Sequence, residues 1–250
     1  MYLTIQGIVL RVTDYNDKDA LLTMLTRRHG RLTVKARGLR RKNSPLIAPC
    51  QLLSYGEFTL FEYRGQYTIN EAQSIELFTP LRRDLTKLSL GTYFAQVSEV
   101  LSQEDMPNPE LQSLLLNCLY ALSKLDLPES QVKAVFELRA ACLSGYTPDL
   151  PVPPDCLVCG SQTPERFDLS AGMLECRNCR SPESNGIRMP VPPSVLEAMR
   201  YICYCDSKKL FSFQAGEDTL QQLSEVTEAY LATQLERGFS TLDFYKSLLI

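Results

Sequence analysis

A multi-domain α+β chain is predicted by three features of this 250-residue sequence. Apolar and polar residues alternate with a period of two through the first 80 residues, and a helical period replaces that alternation from Pro80 onward. Two C-x2-C pairs interrupt the helical part. The expected division is an amino-terminal β-barrel over 1–80, a helical domain over 81–150, an inserted four-cysteine zinc element over 151–190, and carboxy-terminal helices over 191–250 packing on the helical domain.

Leu3, Ile5, Ile8, Leu10 and Val12 sit between polar neighbours, and their phase slips at Gly7, where a β-bulge fits. Ala20–Arg27 forms a second strand, and His29-Gly30 supplies a turn. In the third, Arg31–Arg37, the residues Leu32, Val34 and Ala36 point one way while Arg31, Thr33, Lys35 and Arg37 point the other. Glu57–Tyr63 and Tyr67–Phe78 complete the set, joined by the hairpin Arg64-Gly65-Gln66. Five short strands in this length fit a small closed barrel of the OB type better than a sandwich.

Ser89–Ser102 has helical spacing. The next helix carries Asn108 as cap, Pro109 in its first turn and a stripe of Leu111, Leu114, Leu115, Cys118, Leu119 and Leu122. Val132, Val135, Phe136 and Leu143 mark a third helix that ends before Gly145. The four prolines of Pro148–Pro154 read as a stiff linker. Ser194–Cys203 and Asp218–Arg237 are helical again, the latter with an apolar face of Leu220, Leu223, Val226, Tyr230 and Leu231. No inward carboxylate or histidine pattern accompanies these stripes, so they read as the buried faces of a bundle.

Composition narrows the function. Hydrophobic residues make up 44% and charged residues 22%, as in a soluble globular protein. No apolar run approaches the roughly 20 residues of a membrane span, and the start lacks the pattern of a secretion signal. Nine cysteines, an odd number, argue for reduced thiols and a cytosolic setting. His29 is the only histidine, which removes most Ser–His–Asp, Cys–His and H-E-x-x-H schemes. Neither a phosphate-binding P-loop nor a G-x-G-x-x-G fingerprint occurs. Asp14, Asp17 and Asp19 cluster in the first loop, as metal ligands of a nuclease or as a solvated loop.

Cys156-Leu157-Val158-Cys159 and Cys176-Arg177-Asn178-Cys179 have the spacing of two zinc knuckles. Four thiolates leave no open position for water or substrate, so one zinc ion held there is structural; a redox dithiol or unrelated buried cysteines are the other readings. The stretch between the knuckles has few apolar residues and needs that support. Cys203 and Cys205 read as ordinary semi-buried thiols, and Cys50, Cys118 and Cys142 as packing residues.

Charge is unevenly spread. Residues 1–80 hold 11 Lys/Arg against 7 Asp/Glu, and the remainder holds 15 against 22. Arg27, Arg28, Arg31, Lys35, Arg37, Arg40, Arg41 and Lys42 form an island without a single acid. Such an island is either a polyanion site or a solvated face. Arg31, Lys35 and Arg37 share one strand face at steps of about 6.6–7 Å, close to the phosphate spacing of a single strand. Arg40, Arg41 and Lys42 follow Gly38 in what reads as a mobile loop able to close on that strand. Tyr55, Phe58, Phe61, Tyr63 and Tyr67 offer stacking faces wherever they point outward. The classes left open are a non-enzymatic nucleic-acid-binding and annealing factor, a zinc-stabilised OB-fold RNA-binding protein and, less in keeping with these features, a metal-dependent nuclease.

Three stretches resemble RecO, the bacterial recombination mediator and DNA-repair family. They are Lys18–Thr26 with Gly30-Arg31-Leu32 and Lys35–Arg40, then Glu137-Leu138-Arg139 leading to Ser144–Leu150 before the first knuckle, and Lys246–Leu249. The resemblance runs through the whole chain in order. It implies an OB domain, a helical domain and, in many members, a four-cysteine zinc element. It also implies binding of single- and double-stranded DNA, strand annealing, partnership with RecR, contact with the tail of single-stranded-DNA-binding protein, and placement of RecA on covered strands, all in the cytoplasm at the bacterial nucleoid. By position, Arg31, Lys35, Arg37 and Arg40 fall in the family's basic strand and loop, and the four knuckle cysteines fall on its zinc positions. Leucine-lined grooves bordered by Arg82, Arg83, Lys124, Lys133 and Arg139 are either the contact for the acidic, apolar-tipped tail or solvated helix faces.

Overall fold

The alternation in the first 80 residues does fold into strands: β1 Tyr2–Asp14, β2 Ala20–Thr26, β3 Gly30–Ala36, β4 Tyr55–Tyr63 and β5 Gln66–Glu76. They close into a barrel in the order β1-β2-β3-β5-β4, the OB-type arrangement. β1 is long enough to serve two neighbours: Tyr2–Ile8 pairs with β4, and Gly7–Asp14 pairs with β2. Parallel pairing of Val34 with Tyr67 and Lys35 with Thr68 closes the ring. Arg64 and Gly65, both at positive φ, make the tight β4–β5 turn. Ile5, Val9, Leu22, Met24, Val34, Phe58 and Leu60 fill the interior.

The bulge lies at Leu10 rather than Gly7. Gly7 stays in register with Thr26 and Gly56, and the shift falls between Val9 and Arg11. The extra residue returns Val12 to the core side, while Ile8 and Leu10 are buried on the outer face where a helix packs. A strand covered on both faces imitates a slipped alternation.

The computed structural model describes residues 1–152, 154–161, 163–179 and 186–249. Six α-helices occur among them: α1 Leu85–Leu101, α2 Pro109–Lys124, α3 Glu129–Leu143, α4 Pro193–Tyr204, α5 Glu217–Gln234 and α6 Ser240–Ser247. A small sheet adds β6 Arg166–Asp168, β7 Met173–Glu175 and β8 Arg188–Pro190 in the order β7-β6-β8. Asp84 caps α1 by accepting from the Lys87 N–H at 3.1 Å, which starts that helix ahead of Ser89. Asn108 does the same for α2 through Leu111 at 3.0 Å.

Two compact units result, Met1–Leu125 with Phe239–Ile250 and Asp126–Gly238. Their boundary falls between α2 and α3, inside the segment 81–150. In the first unit α1 packs on β1 and receives α6, where the Phe239 ring meets Tyr93 edge-on at 5.6 Å and the Thr241 hydroxyl donates to Gln96 at 2.6 Å.

In the second unit α3 packs on α4 and α5. The start of the proline-rich stretch before the knuckles is hydrogen-bonded to its own unit at Asp149, Leu150 and Pro151. The Asp149 N–H donates to Gly172 O at 2.7 Å, and buried Arg200 donates to the carbonyls of Leu150, at 3.2 Å, and Pro151. Pro153, part of that stretch, and Arg180–Asn185, within the expected 151–190 element, lie outside the described residues.

Three of the five cations expected to border a tail-binding groove are engaged internally. Arg82 donates to Leu52 O and Leu77 O. Arg139 donates to Ile202 O and Cys203 O, at the end of α4. Lys133 is 3% exposed, and its Nζ lies 3.0 Å from Glu137, 2.8 Å from Glu228 and 3.2 Å from Ser224 O. Arg83 and Lys124 remain exposed.

Burial raises the Glu137 carboxyl above its ordinary range, against the pull of Lys133. Lys133→Met is expected to cost about 3–5 kcal/mol, because it takes the neighbouring cation from a buried carboxylate. A group raised in the folded state contributes most below its unfolded pKa and loses that contribution as pH rises through the folded one. The deficit of the variant therefore shrinks in acid and grows toward neutral pH, as denaturant melts at two pH values will read. Glu137→Gln costs far less, since Lys133 keeps Glu228. Equal losses in the two variants would contradict this account.

Candidate nucleic-acid interface and metal centre

The basic island runs from the hairpin Arg27-Arg28-His29 through strand β3, which ends at Ala36 and not Arg37, into the turns that hold Arg37, Arg40, Arg41 and Lys42. Alternation on β3 is as expected, with Leu32, Val34 and Ala36 buried in the barrel and Arg31, Thr33 and Lys35 facing outward. Geometry then divides the eight cations into two groups. Arg31 is half-buried, with its Nη1 donating to Glu99 O at 3.0 Å and its Nη2 4.0 Å from Glu104. It thereby supplies positive charge to the C-terminal turn of α1. Lys35 lies 3.3 Å from Asp19 and 4.3 Å above the Tyr15 ring, and Arg40 pairs with Asp14. The proposed tracking face of Arg31, Lys35 and Arg37 thus retains Arg37 alone as an uncommitted charge. Arg27, Arg28, Arg37, Arg41 and Lys42 are exposed and make no ion pair among the described residues.

The segment after Gly38 is anchored, not a mobile flap. Leu39, Leu46 and Cys50 enter the barrel core, and turns close from Arg41 N to Gly38 O at 3.1 Å and from Ser44 N to Arg41 O at 3.0 Å. Gly38 sits at φ +69°, and its N–H donates to Asp19 at 2.8 Å. That donor first, then the Asn16 amide and Lys35, hold the Asp19 carboxyl below its ordinary range. Asp14 and Asp19 are therefore fastened to the basic loop, which removes two of the three carboxylates a nuclease would need.

Among the aromatics, Phe58 is core, Tyr55 and Tyr67 are half-buried, and Phe61 and Tyr63 are exposed. Sequence reasoning passed over Tyr2, whose exposure follows from the same parity that turns Leu3 and Ile5 inward.

In the second unit the thiols of Cys156, Cys159, Cys176 and Cys179 lie within 4.8 Å of one another, a group that could hold a metal ion. Cys159 Sγ and Cys176 Sγ are 3.6 Å apart, near the roughly 3.8 Å edge of a tetrahedron with 2.3 Å bonds. Gly160, at φ +72°, completes the first knuckle, where its N–H donates to Cys156 O at 2.8 Å. Burial works to raise the Cys156 thiol, but N–H donors, Cys176 at 3.1 Å among them, pull it down to about 6. The Cys159 contact, with burial, pushes Cys179 up to about 12. Four thiolates this close repel one another unless a cation joins them, so the donor set fits a divalent metal. Arg188 ties the second knuckle to the small sheet, with its Nη1 3.1 Å from Cys179 O and its Nε 3.0 Å from buried Glu175.

The other thiols pack. Burial pushes Cys50 up to about 12 and raises Cys118, and Cys142 meets Cys203 at 3.7 Å.

Comparison with known proteins agrees with this architecture. The family description Recombination protein O N terminal matches residues 1–78, and Recombination protein O C terminal matches residues 82–243. The chain belongs to the RecO family. Among its relatives, a DNA repair protein RecO of Acetivibrio thermocellus is 33% identical over 253 residues, covering 99% of this chain and 97% of that protein. The RecO of Alkaliphilus metalliredigens is 29% identical, covering 99% and 100%. The RecO of Bacillus subtilis is 29% identical over 90% and 86%. Like its family, the chain is a DNA-repair protein. No helix among the described residues is long and apolar enough to cross a membrane.

Proposed function

We propose that this RecO-family chain binds single- and double-stranded DNA through its barrel, anneals complementary strands, and helps load recombinase on protein-coated single strands. The observation that carries the reading is the set of five exposed cations, Arg27, Arg28, Arg37, Arg41 and Lys42, on one small barrel, with no acid partner among the described residues. Arg31, Lys35 and Arg40 support them by holding the hairpin and loop in place. Annealing forms no covalent bond. Its barriers are phosphate repulsion and the proteins coating the bases, and an array of cations lowers the first by displacing counterions. RecR, single-stranded-DNA-binding protein through its acidic tail, and indirectly RecA are the partners the family resemblance implies for the second. Arg83 and Lys124 are the exposed cations left for such a tail. One structural zinc in the four-cysteine group supports the second unit, and the setting is the cytoplasm, at the nucleoid.

The test is annealing of labelled complementary oligonucleotides coated with single-stranded-DNA-binding protein, without nucleotide. Acceleration by the full chain is expected, with no strand cleavage when magnesium is added. Cleavage, or a preference for RNA over DNA of the same sequence, would sink the reading.

A further inference from the structure

The outward faces of β1 and β4 carry a strip that the basic island does not explain. Leu3 and Ile5 turn into the barrel, so Tyr2, Thr4 and Gln6 turn out; Phe58 and Leu60 turn in, so Glu57, Thr59 and Phe61 turn out. Strand pairing sets Tyr2 opposite Phe61, Thr4 opposite Thr59, and Gln6 opposite Glu57. The rings of Tyr2 and Phe61 touch, with centroids 5.3 Å apart, yet stay 62% and 41% exposed. Tyr63, two residues further along β4, is 59% exposed, and the Arg64 guanidinium lies 5.2 Å from its ring. At the other end Thr4, Gln6 and Glu57 line a cleft of about 540 Å³ together with Arg27, Arg28 and His29. From Gln6 to Tyr2 the strand rises about 13 Å, or roughly two nucleotide steps.

We infer that this strip is a stacking platform for unpaired bases of single-stranded DNA, with Arg27 and Arg28 holding phosphates at one end and Tyr2, Phe61 and Tyr63 receiving bases at the other. The inference rests on the DNA-binding function proposed above and adds which form of DNA the barrel distinguishes. Exposed rings accept any base with a free face, whereas bases within a duplex already cover one another. Charge complementarity favours a nucleic acid over an apolar protein partner, because cations lie at both ends of the strip, Arg27 and Arg28 at one and Arg64 at the other. Of the nearby acids, Glu57 sits beside the two arginines and Glu71 lies on β5 opposite Thr59. Phosphates settle over the cationic ends, and Glu57, beside the arginine end, presents an acceptor to a base amine.

The full chain carrying Tyr2→Ala and Phe61→Ala is titrated with oligothymidylate and with a matched duplex at several salt concentrations. Single-strand affinity is expected to fall by roughly 30-fold or more, with duplex affinity and salt slope unchanged. Phe61→Trp keeps an aromatic face in a chain that has no tryptophan. It is expected to retain affinity, and its emission to be quenched by oligothymidylate and not by duplex. Unchanged single-strand affinity, an equal loss on both DNAs, or an unquenched indole overturns the platform and leaves the charge-based function standing. A parent chain without salt-dependent DNA binding overturns both.

Discussion

Cys156→Ser is expected to lose one zinc ion per chain and to loosen residues 155–179 along with it. The elements between the knuckles are three-residue strands, with Phe167, Leu169 and Leu174 as their buried apolar side chains. That is too small a core to offset the entropy of ordering the segment. Zinc in a four-thiolate site contributes on the order of 10–16 kcal/mol of apparent binding free energy, and there it is folding free energy. Metal content per chain, alkylation of Cys159, Cys176 and Cys179, and amide exchange over 163–179 will read the loss. Since the cysteines belong to one compact unit and the barrel to the other, oligonucleotide binding is expected to keep its salt dependence. Full metal retention, or thiols that stay protected once the metal has gone, would show that the segment stands without it.

Replacing Arg27, Arg28, Arg37, Arg41 and Lys42 together by Ala is expected to lower the slope of log affinity against log salt by about 3.5 units on single strands. Each side chain is exposed and free of acid partners among the described residues, so its removal subtracts a phosphate contact and little else. Arg31, Lys35 and Arg40 behave differently. Their substitution releases Glu104, Asp19 and Asp14 and takes a donor from the end of α1. That triple variant is expected to change stability and loop order more than the salt slope. Equal slope changes in the two sets, measured by titration at four or more salt concentrations, would remove the distinction between them.

Why one half of the island was legible and the other was not follows from sequence distance. Alternation on β3 places Arg31 and Lys35 outside the barrel without further information. Their partners, however, lie far along the chain: Glu99 O is 68 residues from Arg31, and Asp14 is 26 from Arg40. No local pattern announces such pairs, so a run without acids looked freer than it is. The same limit hid Lys133, whose second carboxylate, Glu228, comes from another helix. The knuckles were readable because ligand spacing is itself local. α6 was passed over because only Leu242 and Tyr245 are buried in its eight residues, too few to reveal a period. β6, β7 and β8, at three residues each, are too short to show alternation. The irregularity that alternation places at Gly7 lies three residues later, since burial of Ile8 and Leu10 outside the barrel core mimics a break in phase.

The return of Phe239–Ile250 to the barrel's unit makes that unit discontinuous in the chain. On the ribosome its strands emerge first, but Tyr93 and Gln96 must wait for Phe239 and Thr241 until all of residues 126–238 have been synthesised. The nascent barrel therefore spends most of translation without its final helix, and the second unit has a complete chain before the first does. A stop codon at 239 would spare every cysteine of the knuckles and every cation of the hairpin, and still leave α1 with an uncovered flank.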